Sequence, residues 1–189
     1  GRGAALPHPR PISFRIDELL EMLGPEFVPA AAKKNLGLKT MPCGLTIETD
    51  RKLLRRVLQN FISNAVKYTK SGRILVGCRR RGQALRIEIH DTGLGIPVSK
   101  REIVFQEFQR LGDDGGSASG LGLGLSIVDR VARILGSEIT LLSEPGKGSM
   151  FAITVPLARS AKPPAKPRRR SQNGPGSGST TGVLGLEND

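Results

Sequence analysis

Apolar residues between Asp50 and Thr69 recur at helical spacing: Leu53, Leu54, Val57, Leu58, Phe61, Ile62, Ala65 and Val66. A period of about 3.6 marks one face of an amphipathic helix. Asp50 stands where an N-cap belongs, and Ser71-Gly72 is the expected stop. Upstream, Ile12 to Ile16 alternates like a short strand, and Asp17 is placed to cap a helix running to about Ala32. Leu36–Thr40 and Leu45–Thr49 read as two short strands around the turn Met41-Pro42-Cys43-Gly44. Downstream, Arg73–Arg79 and Leu85–His90 form a hairpin whose turn takes in Arg80, Arg81, Gly82 and Gln83, with Arg79 to Arg81 as solvated turn residues. Pro97 opens a helix to about Phe105. A second helix carries Leu125, Val128, Val131, Ala132 and Leu135. Ser137–Ser143 and Ser149–Val155 make a last hairpin.

The polar positions change this picture in two places. Asn60, Asn64 and Lys67 stand at i, i+4 and i+7, a second stripe on the long helix. Amide oxygens can coordinate Mg²⁺ and an ammonium can face a phosphate, although an ordinary solvated face gives the same stripe. In the second hairpin strand, Leu85, Ile87 and Ile89 share a face by the period of two, and Asp91 has the same parity. A carboxylate is thereby aimed at the apolar side, where it is costly unless something hydrogen-bonds it. Such a group suits an exocyclic amine of adenine; a structural Asp capping the turn is the other reading. The glycines of Thr92-Gly93-Leu94-Gly95-Ile96-Pro97 permit close backbone approach.

Composition sets limits. The 189 residues, 38% of them apolar, suit one domain plus tails, and the formal charge is +12. Basic excess can mean an anionic partner. With no Trp and one Tyr, however, no aromatic residues interleave the basic clusters, so specific nucleic-acid binding is not expected. Cys43 and Cys78 have no His or Cys partner at metal-ligand spacing and read as packing residues of a reducing compartment. No apolar run is long enough to span a bilayer, and Gly1–Pro11 lacks the apolar core of a signal peptide. The chain begins without Met and reads as a fragment, with a cytoplasmic location expected.

Leu111 to Ser119 is polar and Gly-rich, a segment expected to be mobile or ordered by a ligand. It leads to Gly120-Leu121-Gly122-Leu123-Gly124-Leu125 at a helix start, where free backbone N–H groups and the helix dipole favour an anion. Four signals thus follow in fixed order: N-x-x-x-N-A-x-K-Y-T, D-x-G-x-G-I-P, F-x-x-F-x-R and G-L-G-L-G-L. Together, over residues 12–157, they resemble the catalytic ATP-binding domain of sensor histidine kinases, in the superfamily shared with type II topoisomerases and the ATPase chaperones.

The resemblance implies an α+β fold, a two-layer α/β sandwich of the Bergerat type, with helices covering one face of a mixed, mostly antiparallel sheet. It implies ATP and Mg²⁺ as ligands. By motif, Asn64 resembles the Mg²⁺ ligand and Asn60 lines the same wall. Lys67 and Tyr68 resemble the phosphate and ribose contacts. Asp91 resembles the adenine-reading carboxylate, with Gly93, Gly95 and Ile96 in its turn. Phe105 and Phe108 resemble the aromatic pair that anchors a lid, and Arg110 the arginine that reaches the phosphates. Gly120, Leu121, Gly122, Leu123 and Gly124 resemble the lid hinge and phosphate cradle.

The superfamily's ATPases carry a water-activating Glu where this chain has Asn60, and an amide is not a general base. The resemblance therefore implies delivery of the γ-phosphate to an external nucleophile, a His on a separate dimerising helical hairpin of a homodimeric parent. Neither His8, in a Pro-rich stretch, nor His90, on a strand, fits that element. Residues 1–11 are expected to be a linker, 12–157 the catalytic domain and 158–182 a Pro/Gly/Ser/Arg-rich linker. Residues 183–189, Val-Leu-Gly-Leu-Glu-Asn-Asp, resemble the first strand of a receiver domain, equally readable as a tail with chance acids. Other classes in view are a catalytically silent nucleotide-binding module, a serine kinase of the anti-sigma type and a basic nucleic-acid binder.

Overall fold

The computed structural model describes residues 8–101, 103–105 and 124–159. The order of elements is β1 (Ile12–Arg15), α1 (Ile16–Ala32), β2 (Leu36–Thr40), β3 (Thr46–Thr49), α2 (Arg51–Tyr68), β4 (Gly72–Arg81) and β5 (Ala84–Asp91). Two single 3-10 turns (Val98–Lys100 and Ile103–Phe105), α3 (Gly124–Leu135), β6 (Glu138–Glu144) and β7 (Gly148–Pro156) follow. Five strands form one sheet in the order β2-β4-β5-β7-β6, with β2 parallel to β4 and the other pairs antiparallel. Strands β1 and β3 make a separate antiparallel ribbon.

The core lies between α2 and one face of the sheet. From α2, Leu54, Val57, Leu58, Phe61, Ile62, Ala65 and Val66 are buried; from the sheet, Ile74, Val76, Leu85, Ile87, Ile89, Ile153 and Val155 meet them. Each of these Val, Leu, Ile and Phe side chains removed from water contributes about 1.5–3 kcal/mol. Helices α1 and α3 flank α2, giving the two-layer α+β sandwich with helices on one face of a mixed sheet. Cys43 and Cys78 are free and pack against this core. Among the described residues no helix is long and apolar enough to cross a membrane.

Both ends of α2 are fixed by side chains. The Asp50 carboxylate accepts from the N–H groups of Lys52 and Leu53, each at 3.0 Å, and its other oxygen from Arg10 N at 2.8 Å. At the far end Lys34 Nζ donates to the carbonyls of Val66 and Lys67, both at 2.8 Å, and of Thr69 at 3.3 Å. These are orphan groups that every helix terminus must satisfy.

Five local expectations are corrected. Helix α1 begins at Ile16 rather than after an Asp17 cap: Ile16 N donates to Leu45 O, and the Asp17 carboxylate is taken by Arg15 and Glu18 N. Helix α2 ends at Tyr68, and Gly72, with φ of +111°, already opens β4. The two strands around Met41–Gly44 do not pair with each other, because β2 joins β4 and β3 joins β1. Arg79, Arg80 and Arg81 extend β4 instead of turning; Arg79 is drawn to Glu88 across the strand pair at 3.2 Å. Among the described residues between Pro97 and Phe105 there are two 3-10 turns, and of these residues Val104 alone is fully buried, which leaves a longer helix little packing to sustain it. Of the expected linkers, residues 1–7 and 160–182 lie outside the described residues, as do residues 183–189.

Asp50→Ala is expected to lower stability by about 1–2 kcal/mol, the usual cost of an N-cap. Burial disfavours the Asp50 charge, but the three N–H donors outweigh it and hold the carboxyl below its ordinary value. That contribution is present above the unfolded pKa, near 3.9, and is lost as pH falls through the lower folded value. Thermal melts should show a deficit for Asp50→Ala at pH 7 that shrinks below about pH 4.

Candidate functional site

The C-terminal half of α2, the end of β5 with the segment after it, and the starts of α3 and β7 converge on a cavity of about 150 Å³. Asn64 and Tyr68 line it from α2, Asp91 from β5, and Leu94, Gly95, Ile96, Pro97 and Lys100 from the segment after β5. Leu125, Ser149 and Phe151 complete it from α3 and β7.

Asp91 reaches this cavity because its parity on β5 is that of Leu85, Ile87 and Ile89, all fully buried. Its Oδ1 accepts from Gly93 N at 2.8 Å and Ser149 N at 3.3 Å. Among the described residues no donor reaches its second oxygen. Burial raises the carboxyl above its ordinary value, against the pull of the two N–H groups and His90. Glycine is required beside it: a Cβ on Gly93 would stand 2.7 Å from Tyr68 O and 2.8 Å from Asp91 Oδ1. Gly95 has φ of +69°, and a Cβ there would strike Glu144 O. The hydroxyl of Thr69, buried next to the same Gly93 position, finds no partner among the described residues. A half-satisfied carboxylate at the wall of an apolar slot fits a flat heterocycle with an exocyclic amine.

The other sequence candidates are placed as follows. Asn64 and Tyr68 line the cavity; Asn60 and Lys67 do not. Asn60 donates to Arg56 O at 2.9 Å, and its Oδ1 lies so near the start of α3 that a Cβ on Gly124 would be 2.7 Å away. Lys67 is exposed, its ammonium 5.2 Å from the centroid of the Tyr68 ring. Phe105 sits behind the wall, its ring edge-on to Phe151 at 6.4 Å, while Phe61 packs on Phe151 at 5.3 Å. Phe108, Arg110, Gly120, Leu121, Gly122 and Leu123 lie outside the described residues. Among the described residues no three His, Cys, Asp or Glu side chains cluster as a metal site. Asn64 can offer an amide oxygen to a hard cation whose other ligands come from bound phosphates and water.

Sequence reasoning missed Lys100, Leu125, Ser149 and Phe151. The alternation of β7 puts Phe151 and Ser149 on the same face as Ile153 and Val155, a usable signal. Ser149 holds Asp91 through its backbone N–H, which no residue type announces.

Residues 49–159 match the family described as histidine kinase-, DNA gyrase B-, and HSP90-like ATPase. The chain is 40% identical over 119 residues to the aerobic respiration control sensor protein ArcB of Escherichia coli K12, covering 61% of this chain and 15% of that protein. It is 31% identical over 160 residues to the sensor histidine kinase RcsC of the same organism, covering 82% and 17%. It thus spans about a sixth of the length of these curated relatives. The crystal structure of full-length ShkA in complex with AMPPNP superposes with a TM-score of 0.71 at 30% identity, covering 83% of this chain and 33% of that one. The catalytic domain of histidine kinase ThkA, at 24% identity and a TM-score of 0.65, shares the fold over 78% of this chain and 95% of its own. The chain belongs to the family of histidine kinase-, DNA gyrase B- and HSP90-like ATPases, and within it resembles the catalytic domains of sensor histidine kinases.

Proposed function

We propose that the cavity binds Mg-ATP and that the domain gives the γ-phosphoryl group to a His on a separate dimerising phosphoacceptor domain. The observation that carries this reading is Asp91, buried at the cavity wall with one oxygen bonded and one left for a ligand. That oxygen accepts from the adenine amine. Leu94, Ile96, Leu125 and Phe151 enclose the ring, with Gly93 and Gly95 letting the backbone close on it. Tyr68 faces the ribose, and Lys67, Arg110 and the segment Gly120 to Gly124 serve the phosphates. Phe105, edge-on to Phe151, backs the base pocket. Asn64 holds Mg²⁺, which when bound neutralises charge on the phosphates.

Asn60 favours transfer over hydrolysis. Its amide cannot take a proton from water, and its NH₂ is already committed to Arg56 O. In the transfer, the bond between the γ-phosphorus and ADP breaks and a phosphorus–nitrogen bond forms on the acceptor imidazole. The imidazole proton passes to a base on the acceptor domain. His90 does not serve as acceptor: it lies 2.8 Å from Glu88, itself ion-paired to Arg79 and Arg86. A receiver domain, possessed in trans or fused beyond the linker, is the proposed next recipient, in a cytoplasmic homodimeric parent.

Asp91→Asn is expected to abolish ADP binding by calorimetry, because the amide presents its NH₂ to the adenine amine. Without nucleotide, the same variant should melt at or above the wild type at pH 7. The raised carboxyl makes ionised Asp91 a cost that is absent below its unfolded value of 3.8 and complete above the folded one. A lower melting temperature with intact binding would remove the assigned role. Asn64→Asp should alter the Mg²⁺ dependence of binding more than affinity for Mg-free nucleotide; equal losses for both would argue against metal ligation.

Transfer itself is tested by incubating this chain and γ-labelled Mg-ATP with a phosphoacceptor hairpin of a sensor kinase. Acid-labile, base-stable label on the hairpin, absent with Asp91→Asn, is the expected result. ATP binding without label would favour a silent nucleotide module.

A further inference from the structure

The turn that follows Asp91 is fastened to the β6–β7 hairpin by a compact set of bonds. Ser143 Oγ accepts from Ile96 N at 2.7 Å and donates to Gly148 O at 3.1 Å. It also lies 2.8 Å from Ser149 Oγ, which must then be the donor of that pair, since a hydroxyl has one proton to give. Arg101 completes the set: its Nη2 donates to Ser143 O and its Nε to Ile96 O at 3.4 Å. Gly146 N donates to Leu94 O at 2.8 Å. Ile96, buried in the cavity wall, therefore has its N–H held by Ser143 and its carbonyl by Arg101.

The same hairpin holds Asp91. Ser149 N is one of the two donors on Asp91 Oδ1, and the hydroxyl of Ser149 is oriented by Ser143. Gly148 packs so closely behind Asp91 that a Cβ on it would strike the Asp91 carbonyl. Ser143 thus holds the Ile96 turn directly and touches, through the Ser149 hydroxyl, the residue whose N–H holds the carboxylate.

We propose that Ser143 and Arg101 are positioning residues that set base selectivity, by fixing the Asp91 carboxylate and the Ile96 turn at the spacing that an adenine ring with its amine requires. This rests on the reading of the cavity as an adenine-nucleotide site. Neither side chain lines that cavity, and both act through the groups that do. A small outward shift of the hairpin would turn the free Asp91 oxygen away from the amine while leaving ribose and phosphate contacts on α2 and α3 in place. The expected signature is a loss confined to the base.

The experiment compares ADP with inosine diphosphate, which keeps the ribose and phosphates and replaces the amine by a carbonyl. A site built around a hydrogen bond to the amine rejects that analogue by roughly a hundredfold or more. By calorimetry, Ser143→Ala should lower ADP affinity about tenfold, the scale of one lost buried hydrogen bond, and leave inosine diphosphate affinity unchanged. Its preference for ADP then falls by the same factor. Ser143→Thr, which keeps the hydroxyl, should retain the preference. Arg101→Met should act in the direction of Ser143→Ala, and provides the measurement if the latter does not fold; a melting curve for each variant verifies folding. Equal losses for both nucleotides, or no change in either, overturn the inference while the wild type still prefers ADP. A wild type that binds neither nucleotide overturns the nucleotide reading, and the inference falls with it.

Discussion

A carboxylate on the apolar side of a sheet must be partly desolvated, and the fold is arranged around how that cost is met at Asp91. If every lone pair were satisfied by protein donors, the group would be a structural cap with nothing left for a ligand. If none were, it would take up a proton and lose its charge. The structure stands between these limits. Two backbone N–H groups converge on Oδ1, and the raised carboxyl shows that they do not cancel the burial. The donors come from segments far apart in sequence, residues 93 and 149, so the half-satisfied state exists only when β5 and β7 are paired in register. Asp91 opposite Ser149 is the last rung of that ladder.

Helix α2 supplies the opposite wall, and its accuracy comes from the core. Its apolar stripe is locked against Ile74, Val76, Ile87 and Ile89, which fixes rotation about the helix axis. Asp50 and Lys34 fix its two ends. With rotation and ends determined, Asn64 and Tyr68 have little freedom in where they face. Asn60 is set a turn earlier, against Gly124 at the start of α3. The Asn60 amide oxygen is thus a packing contact between two helices.

The parts of this arrangement that periodicity governs were readable before the structure. The 3.6-residue stripe placed α2 and its polar edge, and the two-residue alternation from Leu85 sent Asp91 inward. What local pattern left open or misplaced were features decided by partners distant in the chain. The order β2-β4-β5-β7-β6 and the separate β1–β3 ribbon depend on which edges meet, which local pattern does not encode. Asp17 had the composition of a cap, but Leu45 O had already taken Ile16 N. Arg79 to Arg81 looked like turn residues because their charges are solvated, yet Glu88, on the neighbouring strand, draws Arg79 into the ladder. In the site, Asn64 and Asp91 were legible as side chains; Ser149 was not, because it acts through its backbone.

This division between side-chain and backbone roles bears on how base recognition could change in such a domain. In the proposed site, Asp91 is a single residue whose replacement would remove the amine contact at a stroke. The surrounding geometry is distributed over Ser143, Ser149, Gly148 and the Ile96 turn, of which Ser143 and Gly148 do not line the cavity. Substitution in that second group leaves the carboxylate in place and alters only the bonds around it. A hydrogen bond weakens steeply with poor angle and length, so small displacements act on selectivity before they act on stability. The hairpin between β6 and β7 is therefore the part of the fold where base preference can be graded, whereas at Asp91 it can only be kept or lost.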